Sequence, residues 1–450
     1  MGANRVNFAK LMGFPGSTAK ARSASRSVQQ LTKLCHSLMS ERGEVSGVHL
    51  ASQAQLSYDS LDADSRRAFF DSLVKEFSPD PDEVGRRGEA YRDDPSAANL
   101  AELQRIVEPP RQELFRRLNM APGGTRMLVN MRRDLLEETR DHPQWTAIEA
   151  DLVHLLASWF NRGFLSLQRI DWTTPANVLE KLIQFEAVHA IQGWSDLQRR
   201  LQADRRCYAF FHPALPGEPI IFIEVALTRG MSAAVQPLVD PLSPISDPQD
   251  ADCAIFYSIT NCHPGLRGVP FGSFLIKRVA ENLGAEFPRL RKFATLSPVP
   301  GFRSWLKQMV DGEVRHWQKL GSAVAALDES EWLEDRILSD RLRRQIEPLC
   351  AYYLLYAKQG KEPLDPVARF HLRNGARLER INWLGDTSSA GIRRSAGLMV
   401  NYIYRLEDVE RNHELYTKQY KVTASHHIDW LAKRSVLLAE ADADASHTAG

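Results

Sequence analysis

The chain has 450 residues, 43% of them hydrophobic and 25% charged, a soluble globular profile too long for one ordinary core. Lys and Arg number 57 against 56 Asp and Glu, a net charge of +1, so no global field draws the chain to nucleic acid or to a membrane surface. No apolar run approaches the roughly 18 residues that span a bilayer.

Five cysteines, Cys35, Cys207, Cys253, Cys262 and Cys350, form no CxxC pair, and their number is odd. A disulfide framework or a zinc site is not expected, and a reducing compartment is the default. The first 40 residues hold no Asp or Glu but carry Arg5, Lys10, Lys20, Arg22, Arg26 and Lys33. Two readings are open: an organelle transit peptide, or a flexible basic arm over residues 1–27.

From Val28 to about Leu167 the pattern is helical. Leu31, Leu34, Cys35 and Leu38 recur at 3.6 spacing. Asp62 and Asp64 are both candidate caps for a helix whose Phe69, Phe70, Leu73 and Phe77 share a face. Pro109-Pro110 breaks the chain and Gln112–Leu118 resumes it. Met127–Arg140 and Trp145–Leu165 follow, the latter with Leu152, Leu155, Leu156 and Phe160 inward. Residues 28–165 therefore read as a helical bundle domain.

The texture changes after Trp172. Helices at Pro175–Phe185 and Trp194–Leu201 precede strands at Cys207–Phe211 and Pro219–Ala226, which suit a hairpin. Cys253–Thr260 is a third strand, Phe271–Leu283 a helix and Phe293–Leu296 a fourth strand. Helices follow at Glu329–Leu338 and Leu342–Tyr356. Val367–Leu372, Ile381–Trp383 and Leu398–Tyr404 carry strand or buried character, and Val422–Leu438 closes as helix. Residues 166–438 read as a mixed α/β domain and 439–450 as a disordered acidic tail. The fold class is α+β and multidomain.

Three motifs carry chemistry. In the loop His263–Gly272, three glycines, Gly265, Gly268 and Gly272, allow close backbone approach ahead of a helix start. That arrangement suits an anion such as a pyrophosphate, although the spacing matches neither the P-loop nor the dinucleotide fingerprint. Ser297 stands where Pro298 and Pro300 end a strand; from spacing alone it is a ligand-facing hydroxyl or a turn serine. His371, flanked by apolar residues, is a proton donor or a structural histidine. His426-His427 has no further ligand at metal spacing.

These motifs, with FYSITNCHPGLRGVPFGSFLIKRV, LSPVPGFRSWL, ARFHLRNGARLERINWLGD and GLMVNYIY, closely resemble the malonyl-CoA decarboxylase family. The resemblance covers most of the chain. It implies an N-terminal oligomerisation domain and a C-terminal catalytic domain of the GNAT acetyltransferase type. In a GNAT domain two strands splay apart, and the coenzyme A pyrophosphate sits on the loop before a helix. Carried over, Arg267, Gly268, Val269, Pro270, Phe271, Gly272 and Ser273 match the malonyl-CoA binding segment. Ser297 and His371 match the catalytic serine and histidine, and Ser258 and Tyr404 fall on supporting positions. Some branches of the family carry an acidic residue where this chain has Pro270, so no carboxylate acts there.

The implied reaction is conversion of malonyl-CoA to acetyl-CoA and carbon dioxide through a thioester enolate. Ser297 would be the proton acceptor and His371 the proton donor, though the roles could be exchanged. No metal or cofactor is expected, since coenzyme A belongs to the substrate. The expected assembly is a homo-oligomer, a tetramer. The expected location is the bacterial cytoplasm, in keeping with the Thr-Ala-Gly ending rather than Ser-Lys-Leu, with mitochondrial import left open. Two competing readings are a GNAT acyltransferase and a non-catalytic malonyl-CoA sensor.

Overall fold

A computed structural model describes residues 15–41, 43–161, 163–269, 271, 275–312, 318, 320–329 and 331–445. The chain divides into two compact units. One comprises Met1–Phe164, His212–Pro216 and His263–Pro270; the other comprises Leu165–Phe211, Gly217–Cys262 and Phe271–Gly450.

The first unit is helical: α1 (Pro15–Ser40), α2 (Glu44–Asp59), α3 (Ala63–Glu76), α4 (Pro81–Asp93), α5 (Ala97–Val107), α6 (Pro110–Leu118), α7 (Gly124–Glu138) and α8 (Thr146–Trp159). Asp62 decides the start of α3, because its carboxylate accepts the Ser65 amide at 2.9 Å. Pro110 opens α6 at the position where a missing N–H costs nothing. Leu31, Cys35, Leu38, Phe69, Phe70, Leu73, Leu152 and Leu156 are buried as their spacing predicts. Each buried large apolar side chain contributes roughly 1.5–3 kcal/mol. Leu34 stays only half-buried. The first helix starts at Pro15, inside the stretch expected to be flexible. Its Ala, Lys, Arg and Ser residues place no proline beyond the first turn, so helix extends outward from Val28. Residues 1–14 of that arm lie outside the described residues.

Among the described residues, the second unit is built on an eight-stranded sheet. Its strands are β1 (Ser166–Ile170), β2 (Arg205–Phe211), β3 (Pro219–Thr228), β4 (Cys253–Asn261), β5 (Lys292–Thr295), β6 (Ser297–Pro298), β9 (Arg377–Asn382) and β10 (Met399–Ile403); β7 (Lys358–Gln359) and β8 (Glu362–Pro363) form a separate pair. β2 and β3 make the expected hairpin. β1 carried no sequence signal strong enough to be singled out, since its SLQRI is mostly exposed.

One feature of this sheet positions the site. β4 and β5 run parallel, with Cys253 opposite Lys292 and Phe256 opposite Thr295, and the ladder ends there. β4 continues to Asn261 beside β3. The other strand continues through β6 beside β10, with Ala294 opposite Ile403 and Ser297 opposite Val400. The two strands therefore part after Phe256 and Thr295. This is the splay that the resemblance implies.

Three sequence expectations differ from the structure. Residues 367–372, expected to be strand or buried, are buried at Ala368, His371 and Leu372 but helical: Pro366–Arg373 is a helix, with Asp365 as its cap and Pro366 in its first turn. The helix expected from Phe271 is described only from Leu275 to Glu286, and Phe271 itself is non-helical. The terminal helix starts at His426 and runs to Ala445, into the stretch expected to be disordered; residues 446–450 lie outside the described residues. None of the described helices is long and apolar enough to cross a membrane.

Candidate active site

Ser297, His371 and Tyr404 come together in the second unit. Asp365 starts the helix that carries His371, accepting the Ala368 amide at 2.8 Å. His371 falls in the last turn, and the helix ends at Asn374 and Gly375. Gly375 has φ +81° and lies so close to the Val409 carbonyl that a Cβ would overlap it, so this stop requires glycine. Ser297 reaches the site from the diverging strand, two residues past the last residue paired with β4. Tyr402 and Tyr404, two apart, place their rings on one face, as the period of an extended chain dictates.

His371 Nε2 lies 3.0 Å from Ser297 Oγ, and Nδ1 lies 2.9 Å from the Tyr404 hydroxyl. The imidazole stacks on Tyr402, with ring centroids 4.6 Å apart at 26°. Ser297 donates its hydroxyl hydrogen to Thr295 Oγ1 at 2.9 Å. All of these side chains are buried, His371 at 3% exposure and Ser297 at 5%.

Burial governs the protonation of this group. It pushes the His371 pKa down to about 3, so the ring is neutral near pH 7 and carries one N–H. Burial also pushes Tyr404 well above its ordinary value, which keeps its phenol hydrogen. Because the Ser297 hydrogen goes to Thr295, the single ring hydrogen is assigned to Nε2, directed at Ser297, and Nδ1 accepts from the Tyr404 hydroxyl. The Ser297 hydrogen, already engaged by Thr295, leaves its oxygen free to accept. The Ser297–Thr295 bond thus assigns the tautomer, and the Tyr404 hydroxyl, able to donate or accept, complements it.

Ser258 is not part of this group. It stands two residues past Phe256 on β4, the other arm of the fork, and its Oγ donates to Glu186 Oε2 at 2.7 Å and lies 3.3 Å from Thr260 Oγ1. Glu186 Oε1 accepts the amides of Val188 and His189 at 2.7 and 2.8 Å. Glu186 therefore ties β4 to the loop after Ala176–Phe185.

The anion loop is described in part, and its first half packs within the helical unit. Arg132 of α7 donates Nη1 to the Gly265 carbonyl at 2.6 Å and Nη2 to Glu149 at 2.6 Å. A Cβ on Gly265 would overlap the Val129 carbonyl. Gly268 has φ +79° with open space around it, and Arg267 is exposed. Val269 and Phe271 are buried. Pro270, Gly272 and Ser273 lie outside the described residues. No group of three or more His, Cys, Asp or Glu converges as a metal site among the described residues.

The malonyl-CoA decarboxylase C-terminal domain matches residues 163–444 and the N-terminal domain of the same family matches residues 77–160. The chain belongs to the malonyl-CoA decarboxylase family. It is 36% identical over 406 residues to the mitochondrial malonyl-CoA decarboxylase of Anser anser anser, covering 82% of this chain and 81% of the relative. It is 38% identical to that of Mus musculus, over 72% of each. The fold resembles the malonyl-CoA decarboxylase of Rhodopseudomonas palustris at TM-score 0.83 and 49% identity, covering 89% of this chain and 98% of that one. It also resembles that of Agrobacterium vitis at TM-score 0.82 and 45% identity, covering 90% and 99%.

The sequence singled out Ser297, His371 and Tyr404, which the structure brings together, but not Thr295 and Tyr402 beside them, Asp365 at the helix start or Glu186 beside Ser258. Asp365-Pro366 was legible as a helix start. Thr295 was legible only as a strand residue two places before Ser297, a spacing that puts both on one face.

Proposed function

We infer that the chain decarboxylates malonyl-CoA to acetyl-CoA and carbon dioxide. The bond between the malonyl methylene and its carboxylate breaks, and the electron pair moves into the thioester to form an enolate. Carbon dioxide leaves, and one proton is added to the carbon. The barrier is the charge gathering on the thioester oxygen, and a fixed donor aimed at that oxygen lowers it.

The observation that carries this reading is the buried His371 held between Tyr404 at Nδ1 and Ser297 at Nε2, the nitrogen that would turn its hydrogen from Ser297 to the thioester oxygen of bound substrate. A neutral imidazole suits this task, because it donates a hydrogen bond without needing a proton from solvent. In the proposed division of labour His371 stabilises the enolate and is the proton donor, while Ser297 meets the malonyl carboxylate and is the proton acceptor; the hydrogen that His371 gives to the carbon is replaced by one proton taken up from water per turnover, the one proton the net reaction consumes. Arg267, Gly268, Val269, Pro270, Phe271, Gly272 and Ser273 hold coenzyme A. That role is supported by the segment's resemblance and by its place before the helix Leu275–Glu286. Ser258 supports the reaction from β4 through Glu186 rather than by touching the pair. The thioester is the electron sink, so no step passes through a metal.

The assembly we propose is a homotetramer, supported by the family and by the large helical unit. The location we propose is the cytoplasm, supported by five buried, unpaired cysteines. The testing experiment incubates purified protein with malonyl-CoA alone, with and without a chelator. Acetyl-CoA and carbon dioxide in equal amounts, unaffected by the chelator, are expected. Intact malonyl-CoA, or product only when an amine acceptor is added, would overturn the reading.

A further inference from the structure

We propose that Thr295 is a positioning residue for the reaction, setting the direction of the hydrogen bond between His371 and Ser297. The inference rests on the decarboxylase reading for its kinetic consequence, but its geometry stands alone. Thr295 Oγ1 accepts two hydrogens: the Ser297 hydroxyl at 2.9 Å and the Tyr402 amide at 3.2 Å. Ser297 has one hydroxyl hydrogen. With that hydrogen drawn toward Thr295, the Ser297 lone pairs face His371 Nε2, 3.0 Å away.

Without the threonine oxygen, the serine hydrogen would turn to the other acceptor within reach, the imidazole nitrogen. The ring hydrogen would then move to Nδ1, and the Tyr404 hydroxyl would turn from donor to acceptor. The site would become a serine hydroxyl donating to a histidine, the arrangement of a nucleophilic pair. The decarboxylase reading needs the opposite polarity, with the hydrogen on Nε2, held by Ser297 in the free site and passed to the thioester oxygen when substrate is bound.

Thr295 is well held for this task. It is fully buried and is the last residue of its strand paired with β4, so it sits at the fixed corner from which Ser297 departs. Its carbonyl accepts Asn401 Nδ2 at 2.7 Å, and Asn401 Oδ1 in turn accepts Asn382 Nδ2 at 2.9 Å and Arg380 Nε at 3.1 Å. A β-branched side chain on such a backbone has little rotamer freedom. A packing role alone would call for the shape of the side chain and not for its oxygen.

The test compares wild type, Thr295→Val and Thr295→Ser in malonyl-CoA turnover and records the His371 ring-nitrogen resonances, assigned by their loss in His371→Gln. In Thr295→Val, kcat is expected to fall about 10- to 100-fold with KM within about twofold, and the ring hydrogen to move from Nε2 to Nδ1. Thr295→Ser, which keeps the oxygen, is expected to stay within about threefold of wild type with the ring hydrogen still on Nε2. A Thr295→Val enzyme with wild-type kcat, an equal loss in Thr295→Ser, or a wild-type ring hydrogen on Nδ1 would overturn the proposal. The wild-type ring measurement decides the matter even if Thr295→Val does not fold. A wild type that forms no acetyl-CoA would overturn the decarboxylase reading alone, since the ring resonances test the geometry separately.

Discussion

His371 Nε2 lies 3.0 Å from Ser297 Oγ although 74 positions separate the two residues in the chain. One comes from the end of a capped helix and the other from a strand leaving its parallel partner. Neither is in place unless both elements have folded. The pair therefore reports on the tertiary structure as well as on the chemistry.

Tyr404→Phe removes the hydroxyl 2.9 Å from His371 Nδ1 and leaves a buried ring nitrogen without a partner. An unsatisfied buried polar group costs about 1–3 kcal/mol, which corresponds to roughly 5- to 150-fold if it is felt in the transition state. The expected outcome in steady-state kinetics is a lower kcat with KM little changed. A variant with wild-type kcat would remove Tyr404 from the hydrogen-bond chain.

Stability should depend on pH through His371. Its folded pKa of about 3 lies below the ordinary value of 6.5, so the unfolded chain binds the proton more tightly. The contribution is complete above pH 6.5 and is lost as pH falls from there toward 3, at about 1.4 kcal/mol per pH unit. Two buried acids act in the opposite sense: burial raises Glu224 to about 7 and Asp365 to about 6, so their contribution is lost as pH rises. Urea unfolding of wild type and His371→Gln from pH 7 to 5 isolates the histidine. The difference in slope between the two proteins should show its loss below pH 6.5, and parallel slopes would contradict a neutral buried ring.

Gly265→Ala should injure the anion loop from within the helical unit. The added methyl meets the Val129 carbonyl, a backbone atom that cannot swing aside. Overpacking of this kind costs about 1–3 kcal/mol. The expected outcome is a lower melting temperature and a higher KM for malonyl-CoA. Arg132→Met, which removes the hydrogen bond to the Gly265 carbonyl, should raise KM in the same way. An unchanged KM in both would detach the loop from substrate binding.

Much of this was legible in the sequence because it was local. Phe69, Phe70 and Leu73 declared their helix face, and the Cys207–Phe211 and Pro219–Ala226 runs declared a hairpin. Ser297 was expected where Pro298 and Pro300 end a strand, but the ladder does not stop there: Ser297 and Pro298 form β6 and pair with Val400 and Met399 of β10. The stretch around His371 read as strand or buried: it is buried at Ala368, His371 and Leu372, but on a helix that Asp365 caps. The partners were not legible, because hydrogen bonds between Thr295 and Ser297, or between Glu186 and Ser258, depend on which strands adjoin and which face each residue occupies. Nor could spacing reveal that Gly265 serves close approach to Val129, whereas Gly268 serves a positive φ.

The most direct test of the central claim is a kinetic cycle with malonyl-CoA as sole substrate, comparing wild type, Ser297→Ala, His371→Gln and the double variant by acetyl-CoA release. If the two side chains act as one unit, wild type turns over, each single variant loses about 100-fold or more in kcat, and the double variant is no worse than the weaker single. Near-normal turnover in either single variant, or losses that multiply in the double variant, would contradict the account.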